Sequence, residues 1–425
     1  MFSVLGLDGA AHIFYWDTKS DDTRKHVFAS WFWSQFLVGS IIVLLIFFIA
    51  TPLSIWLFST KAHVNTFRLA SILLISGILP TLIINWFRVR RLPWSTTWFS
   101  VTMSLITVAL NVWFIAGRKM GINGFFLAQI ISGCIMSFVA IFFMKDWLSF
   151  CKVKIGLLKS MLRYSLPMIP TPLAFWSLNF AGSYYLQLLK GESEVGLFQT
   201  GATIASIVML IISSFTQAWG PFAMSIREDK GASLVYSKVL VLYCAVVGIF
   251  ASGIGVFAEE ILMLMTSEAY VSAHYVTSIL VFSTAVSGVN FIAALGLNFV
   301  KNMKPYSYSI MAGAIINLCL YYIVIKHFGK EGCALLTLVT NIIVSGFIFS
   351  SAQKRYYIPY NFKTSGIIFL ACLLIVFIGL SITSGSLIYV VLMKFLLLLL
   401  LIFVIYTISL KIVGSDFKRI FVFKK

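Results

Sequence analysis

Charged residues are scarce in this chain, and acidic ones are the scarcest. Of its 425 residues, 11% are charged, and only 14 are Asp or Glu against 32 Lys or Arg. An ordinary soluble domain carries about a quarter charged residues, which cover the surface that water wets. With 60% hydrophobic residues, too much apolar area would stay exposed around a single water-soluble core. The composition therefore excludes a soluble globular protein and favours a membrane protein.

The residues that usually build reactive sites are also few and scattered. The six cysteines form no C-x-x-C pair, and the five histidines lack the spacing that metal ligands typically show. The sequence has no glycine-rich nucleotide loop and no nucleophile–base motif. We therefore predict no metal, no cofactor and no enzymatic activity.

Long apolar runs are what the sequence does contain. Each has about 20 residues, enough to cross about 30 Å of hydrocarbon as a helix. The twelve runs lie near 33–58, 67–87, 96–116, 122–144, 165–189, 195–219, 236–257, 275–298, 305–325, 333–352, 364–384 and 387–410.

Basic residues collect on one side of these predicted spans. Over twelve crossings, 24 of the 32 Lys and Arg fall on the side of the N-terminus and seven near the other side. Short loops rich in Lys and Arg stay in the cytoplasm, so we expect both termini to be cytoplasmic. The positive charge then reflects topology and attraction to anionic lipids, and nucleic acid is not an expected partner. Lys394, alone inside a span, either snorkels to the outer headgroups or pairs with an anionic lipid or substrate.

The chain repeats itself at an offset of about 208 residues. The loop around Asp21 falls on the loop around Asp229, and GINGFFLAQIISG (121–133) falls on GKEGCALLTLVTN (329–341). Six spans separate the copies, so both cross the membrane in the same direction, as in two-lobed carriers. The predicted fold is an all-α polytopic integral membrane protein with about 12 transmembrane helices in two pseudo-symmetric lobes. We place an N-terminal lobe of four helices at 1–150, a C-terminal lobe at 151–355, and a further helix pair with a basic tail at 356–425.

The fifth and sixth spans carry polar residues that lipid would not solvate. Asn179, Ser183 and Gln187 recur every fourth residue and form one stripe of the fifth helix, while Gln199 and Gln217 lie in the sixth. Polar residues in spans either line a cavity or join neighbouring helices by hydrogen bonds. For the stripe of the fifth helix, a cavity wall is the favoured interpretation. Prolines 167, 170 and 172 predict a kinked or partly unwound start of this helix.

This same region resembles a known family. The run SLPMIPTPLAFWSLNFAGSYYLQLLKGESEVGLFQTGATIAS, followed by SFTQAWGPFAMS, is similar to polysaccharide-biosynthesis flippases of the O-antigen type. These belong to the multidrug/oligosaccharidyl-lipid/polysaccharide (MOP) exporter superfamily. The resemblance extends through EEILMLMTSEAYVSAHYV, FGKEGCALLTL and GLDGAAHIFYWD, and covers most of residues 1–355.

The resemblance implies a carrier in the bacterial inner membrane. It would move a polyprenyl-diphosphate-linked oligosaccharide from the cytoplasmic to the periplasmic leaflet by alternating access between two lobes. Its partners would be that lipid-linked substrate, membrane lipids and other polysaccharide-assembly membrane proteins. In the family, GLDGAA-type sequence follows the second span, so the resemblance also implies that about two helices are missing before residue 1.

The chain departs from the family where a charged substrate would need partners. Family members commonly carry an acidic–basic pair before the tyrosine of the fifth helix, whereas Gly182 and Ser183 precede Tyr184 here. All acidic residues are predicted to lie in loops or at span ends, which leaves no carboxylate for a proton relay. Cations for a diphosphate remain at span ends, where they also set topology. The full candidate cavity set is Arg68, Arg88, Asn179, Ser183, Tyr184, Gln187, Lys190, Gln199, Gln217 and Lys301.

Two other functions remain open at this point. An exporter of drugs or small molecules from the same superfamily is one, although the lack of intramembrane acids disfavours organic cations. A polytopic glycosyltransferase or polymerase is the other, although the predicted outer loops are short.

Overall fold

A computed structural model of the chain describes residues 7–18, 20–229, 231–382 and 386–413, and every regular element in those ranges is helical. The chain divides into two compact units, Met1–Ile169 and Pro170–Lys425. The first six residues, Lys19, Lys230 and the predicted basic tail (414–425) lie outside the described residues.

The first unit contains seven α-helices within its described residues. They are α1 (Leu7–Trp16), α2 (Asp21–Phe58), α3 (Val64–Ser76), α4 (Ile78–Val89), α5 (Pro93–Asn111), α6 (Gly121–Met144) and α7 (Ile155–Ser165). A π-helical turn (Val112–Gly117) extends α5, and a 3-10 turn (Lys145–Trp147) follows α6. The unit ends after α7, at 169, whereas the sequence placed the lobe boundary at 150. The reason is that α7 packs against α1 and α2.

The second unit contains ten α-helices within its described residues. They are α8 (Thr171–Lys190), α9 (Glu192–Ala205), α10 (Ile207–Ser225), α11 (Ala232–Val256), α12 (Ala258–Met265), α13 (His274–Ala293), α14 (Leu295–Phe299), α15 (Lys304–Gln353), α16 (Phe362–Ser381) and α17 (Leu387–Val413). The predicted extra helix pair, α16 and α17, packs against α11 and so belongs to this unit.

Ten helical segments in the described part of the chain are long and apolar enough to cross a membrane. One of them, Lys304–Gln353, has 50 residues and would measure about 75 Å as one straight helix, more than twice the hydrocarbon thickness. It bends at Gly329, whose φ is 58° and ψ is −141°, so it supplies the two predicted spans 305–325 and 333–352. The predicted span 165–189 corresponds to α8, whose polar residues keep it out of the ten. All twelve predicted spans therefore have a helical counterpart.

The outward faces of these helices confirm the membrane prediction. Large apolar side chains such as Phe48, Phe138 and Phe142 are more than three-quarters exposed. A soluble monomer rarely exposes such continuous apolar area. The chain is a multi-pass membrane protein.

The two units share one order of helices, which confirms the internal repeat. α2 corresponds to α11 with α12, the broken pair α3–α4 to α13–α14, α5 to the first half of α15, and α6 to its second half. The matched turns agree in detail, because Gly121 has φ 57° and Gly329 has φ 58°. Arg91 and Lys301 both adopt a left-handed backbone conformation, and they stand at the same position after α4 and α14. This conformation is unfavourable for a residue other than glycine, but it commonly ends a helix because it allows the closing backbone hydrogen bond.

The predicted break before the fifth span is also confirmed. α7 ends at Ser165, a 3-10 turn spans Leu166–Met168, and α8 begins at Thr171 with Pro172 in its first turn. Proline is tolerated there because its missing N–H would have no helical partner.

A close helix contact in the second unit yields a first stability prediction. A methyl group on Gly288 of α13 would overlap the Tyr243 hydroxyl and lie 2.8 Å from Cγ2 of Ile212. We therefore expect Gly288→Ala to destabilise the protein by about 1–3 kcal/mol, measured as a lower denaturant midpoint in detergent. Gly346→Ala is the matched control, because a methyl there meets open space. Equal midpoints for the two variants would contradict the packing.

Candidate functional site

The polar stripe of the fifth predicted span lies on an exposed face of α8. Asn179 and Gln187 are exposed and Ser183 is half-buried, while the adjoining face buries Leu178 and Gly182 against α15. Side chains four residues apart share one face of a helix, so the stripe is continuous along α8. Asn179 satisfies part of its amide locally, since its Nδ2 donates to the carbonyl of Phe175 at 2.7 Å.

The structure joins this stripe to the polar residues of the sixth span. Gln199 of α9 donates from Nε2 to Oγ of Ser183 at 2.6 Å. Thr203 continues the row one turn further along α9 and is exposed. Tyr184 presents 66% of its surface. For brevity we call the predicted cavity residues of α8, α9 and α10, together with Thr203, the polar face of α8–α10; they are Asn179, Ser183, Tyr184, Gln187, Lys190, Gln199, Thr203 and Gln217.

Within the first unit, the cationic candidates Arg68 and Arg88 lie far from each other. Arg68 is on α3, with its guanidinium 4.7 Å from the ring centroid of Phe47 on α2. Arg88 is near the far end of α4, about 30 Å along the helix pair from Arg68 by helical rise. Lys301 follows α14 in the second unit and is exposed. No single diphosphate could touch Arg68 and Arg88 together.

Two titratable residues that the sequence prediction missed meet the membrane helices in the first unit. Asp8 accepts a hydrogen bond at 3.1 Å from Nε2 of Gln35, which lies well inside α2. His12 lies one turn along α1, with Nε2 3.2 Å from Oδ1 of Asn85. Because an amide oxygen only accepts, the imidazole donates. Asp8 therefore lies on a short helix packed against α2 rather than in a loop, and meets Gln35 near the start of the predicted span 33–58.

Burial favours the neutral forms of both residues. It raises the pKa of the Asp8 carboxyl above its usual range. It lowers the pKa of the His12 imidazole, an effect to which the nearby Arg88 adds. Both shifts follow from the cost of placing a charge away from water. In the sequence, Asp8 and His12 stand four residues apart in an otherwise apolar stretch of ten. This spacing could have indicated that both side chains lie on one face of a helix.

Lys394 is neither a snorkelling residue nor one left to pair with a lipid. Its Nζ lies 2.6 Å from Oε1 of Glu260, and its side chain is only 1% exposed. Glu260 stands in the first turn of α12 and is 17% exposed. The interpretation of Lys394 as a free cation is thus corrected to a buried ion pair between α17 and α12.

The interior of the second unit holds a neutral polar network. Asn317 donates to the Tyr321 hydroxyl at 3.1 Å and accepts from Thr340. The Tyr321 hydroxyl also lies 3.1 Å from that of Thr337. These four residues come from the two halves of α15 and satisfy one another, so they stabilise the bend at Gly329.

Comparisons with known proteins agree with this architecture. Residues 18–275 match the family model described as "Polysaccharide biosynthesis protein". A MATE transporter in the straight conformation superposes with a TM-score of 0.67 at 15% identity, covering 83% of each chain. An outward-facing multidrug resistance MATE family transporter of the MOP superfamily gives 0.67 at 17% identity, again over 83% of each chain. A MOP superfamily transporter from Pyrococcus furiosus gives 0.65 at 15% identity and the same coverage.

At such low identities, these solved structures show a shared fold and nothing finer. No curated protein matches the chain in sequence.

Proposed function

Because this chain belongs to the polysaccharide biosynthesis protein family, we propose that it is a flippase for lipid-linked oligosaccharides. It moves polyprenyl-diphosphate-linked repeat units from the cytoplasmic to the periplasmic leaflet of the bacterial inner membrane. The product serves the assembly of O-antigen, capsule or exopolysaccharide. No bond is made or broken in this role, and both termini are cytoplasmic.

The observation that carries the proposal is the polar face of α8–α10. Asn179, Gln187 and Gln199 are exposed on helices that also expose large apolar side chains such as Phe180 and Leu210. Polar groups that face hydrocarbon are costly, so exposed amides at Asn179, Gln187 and Gln199 support contact with water or a polar ligand. Sugars present many hydroxyl groups, which both donate and accept hydrogen bonds as Asn, Gln and Ser do. Tyr184 adds an exposed aromatic ring to this face.

The charge of this face also suits an oligosaccharide. Lys190, at the end of α8, is its one charged member, and the remaining members are neutral. A neutral wall allows sugars to slide without the strong ion pairing that would hold a charged ligand in place. The diphosphate of the substrate needs cations elsewhere, because moving an unpaired anion out of water costs much free energy.

A drug exporter is the second candidate, and one observation favours it. Asp8 places a partly buried carboxyl inside the first unit, and an organic cation would bind its ionised form. Binding assays with cationic drugs and with polyprenyl diphosphate separate the two functions. Tight binding of the drugs alone would favour export of small molecules.

The decisive test removes the gene from its host. We expect the null strain to lose surface polysaccharide and to accumulate lipid-linked repeat units in the cytoplasmic leaflet. Accumulation is measured by lectin labelling of inside-out and right-side-out vesicles. Complementation by the wild-type gene, and not by an early stop codon, is the control. Normal polysaccharide in the null strain would overturn the proposal.

A further inference from the structure

Three arginines of the first unit lie against aromatic rings where four helix ends meet. α1 and α4 end there, α2 begins there, and the turn after α6 contributes Trp147. The guanidinium carbon of Arg24 lies 4.7 Å from the Tyr15 ring, and that of Arg91 lies 5.7 Å from the Trp16 ring. We name this the arginine–aromatic cluster; its members are Tyr15, Trp16, Arg24, Trp86, Arg90, Arg91 and Trp147.

Arg90 is the best held of the three. Its guanidinium carbon lies 4.7 Å from the ring centroid of Trp86 and 5.8 Å from that of Trp147. The two indoles pack edge to face, 5.5 Å apart, and both are almost fully buried. Rings that are fixed by packing restrict the planar guanidinium, and Arg then loses little freedom when it binds a ligand.

The hydrogen-bonding edge of Arg90 is free for a ligand. Arg24 differs in this respect, since it donates to the Asp21 carboxylate and to the Thr18 carbonyl, each at 3.0 Å. Within the described residues, no hydrogen bond or ion pair involves the Arg90 side chain, which is exposed. Stacking uses only the faces of a guanidinium, so its in-plane N–H donors remain available.

The positive charge of the cluster favours an anion. Arg24 and Arg91 lie against rings of the same cluster as Arg90, and Asp21 pairs with Arg24. Arginine edges match phosphate oxygens with two parallel hydrogen bonds. In the second unit, the position that corresponds to Arg90 is occupied by Val300, directly after α14. The repeated fold therefore does not itself require an arginine at this position.

We propose that Arg90 binds the diphosphate headgroup of the lipid-linked substrate before translocation, with Arg91 as the neighbouring cation. This inference rests on the proposed flippase function and adds to it the residue that captures the headgroup. The predicted orientation puts the arginine–aromatic cluster at the cytoplasmic end of the helices, where the substrate is made available. The two indoles hold the guanidinium at this end of the first unit's helices, where it meets the headgroup first.

The test is equilibrium binding of polyprenyl diphosphate to the purified full-length chain in detergent micelles. We expect Arg90→Gln to raise Kd about tenfold or more, the effect of losing a charge-assisted bidentate contact. Arg90→Lys keeps the charge and loses the planar fork, so its Kd should lie between the two. Arg118→Gln removes an equally exposed arginine after α5, at the other end of the helices, and should change Kd less than twofold.

Three results would overturn the site. They are an unchanged Kd in Arg90→Gln, an equal loss in Arg118→Gln, and displacement of the probe by phosphatidylglycerol with the same affinity, which would indicate an ordinary membrane lipid. Thermal melting of each variant shows whether it is folded. If Arg90→Gln is not folded, Arg90→Lys still tests the site. If binding depends on Arg90 but the wild-type protein does not flip the lipid, the proposed function is wrong and the binding site stands. If the wild-type protein flips the lipid but binding does not depend on Arg90, the function stands and the site is wrong.

Discussion

Replacing Lys394 by methionine is expected to lower the free energy of unfolding by about 3–5 kcal/mol, because it leaves the Glu260 carboxylate without its cation. The pair is short, with Nζ 2.6 Å from Oε1, and the lysine is 1% exposed. The second carboxylate oxygen of Glu260 has no hydrogen-bond partner among the described residues. Among the described residues, Lys394 is thus the partner that the structure gives this carboxylate.

The measurement is a denaturant or thermal midpoint in detergent, with two comparison variants. Lys363→Met removes an exposed lysine at the start of α16 and should leave the midpoint nearly unchanged, as surface charges contribute little. In the double variant Lys394→Met with Glu260→Gln, no charge is left unpaired, and most of the lost stability should return. A midpoint for Lys394→Met equal to that of Lys363→Met would show that the ion pair does not hold α17.

Local features of the sequence explain why the helices and the repeat could be predicted. A span depends on its own 20 residues, and apolar runs of that length have few other uses. The turns at Gly121 and Gly329 were paired from their surroundings, and both adopt φ near +58° in the structure. Glycine has no Cβ atom and adopts a positive φ without steric strain. The two glycines therefore match in sequence because both turns need this backbone conformation.

Contacts between distant residues explain what the sequence could not show. Lys394 and Glu260 are separated by 134 residues, and locally each is only an isolated charge in an apolar run. Asp8 belonged to a segment interpreted as a polar loop, because its partner Gln35 lies on another helix. Arg90 was counted as one of several topogenic charges, since its two indoles come from different helices. Pairings of this kind exist only after the helices pack.

The polar face of α8–α10 could be predicted from the sequence only in part. Its stripe was readable from the i, i+4 spacing, and the contact of Gln199 with Ser183 joins the two helices as one surface. What the spacing could not decide was whether the face meets a cavity or holds neighbouring helices together. Asn179 and Gln187 remain exposed in the structure, whereas Ser183 and Gln199 join two helices, so the cavity wall stays a prediction.

If this face lines the transport path, replacing Asn179 and Gln199 together by leucine is expected to lower the transport rate about 5- to 150-fold. Each lost polar contact with a sugar costs about 0.5–1.5 kcal/mol, and two such losses multiply in the rate. The assay is the appearance of lipid-linked repeat unit in the outer leaflet of vesicles. Thr96→Val is the control, because the exposed Thr96 hydroxyl donates only to the carbonyl of Leu92 in its own turn of helix.

The stability of the double leucine variant decides what the face touches. If the face lines a watery path, leucine gains nothing there, and the thermal midpoint should stay the same or fall. If it faced lipid, leucine would remove exposed amides from hydrocarbon, so the protein should become more stable and transport should continue. A raised midpoint with unchanged transport would therefore take away the observation on which the flippase proposal rests. Slower transport at an unchanged midpoint requires that the amides act on the substrate rather than on the fold.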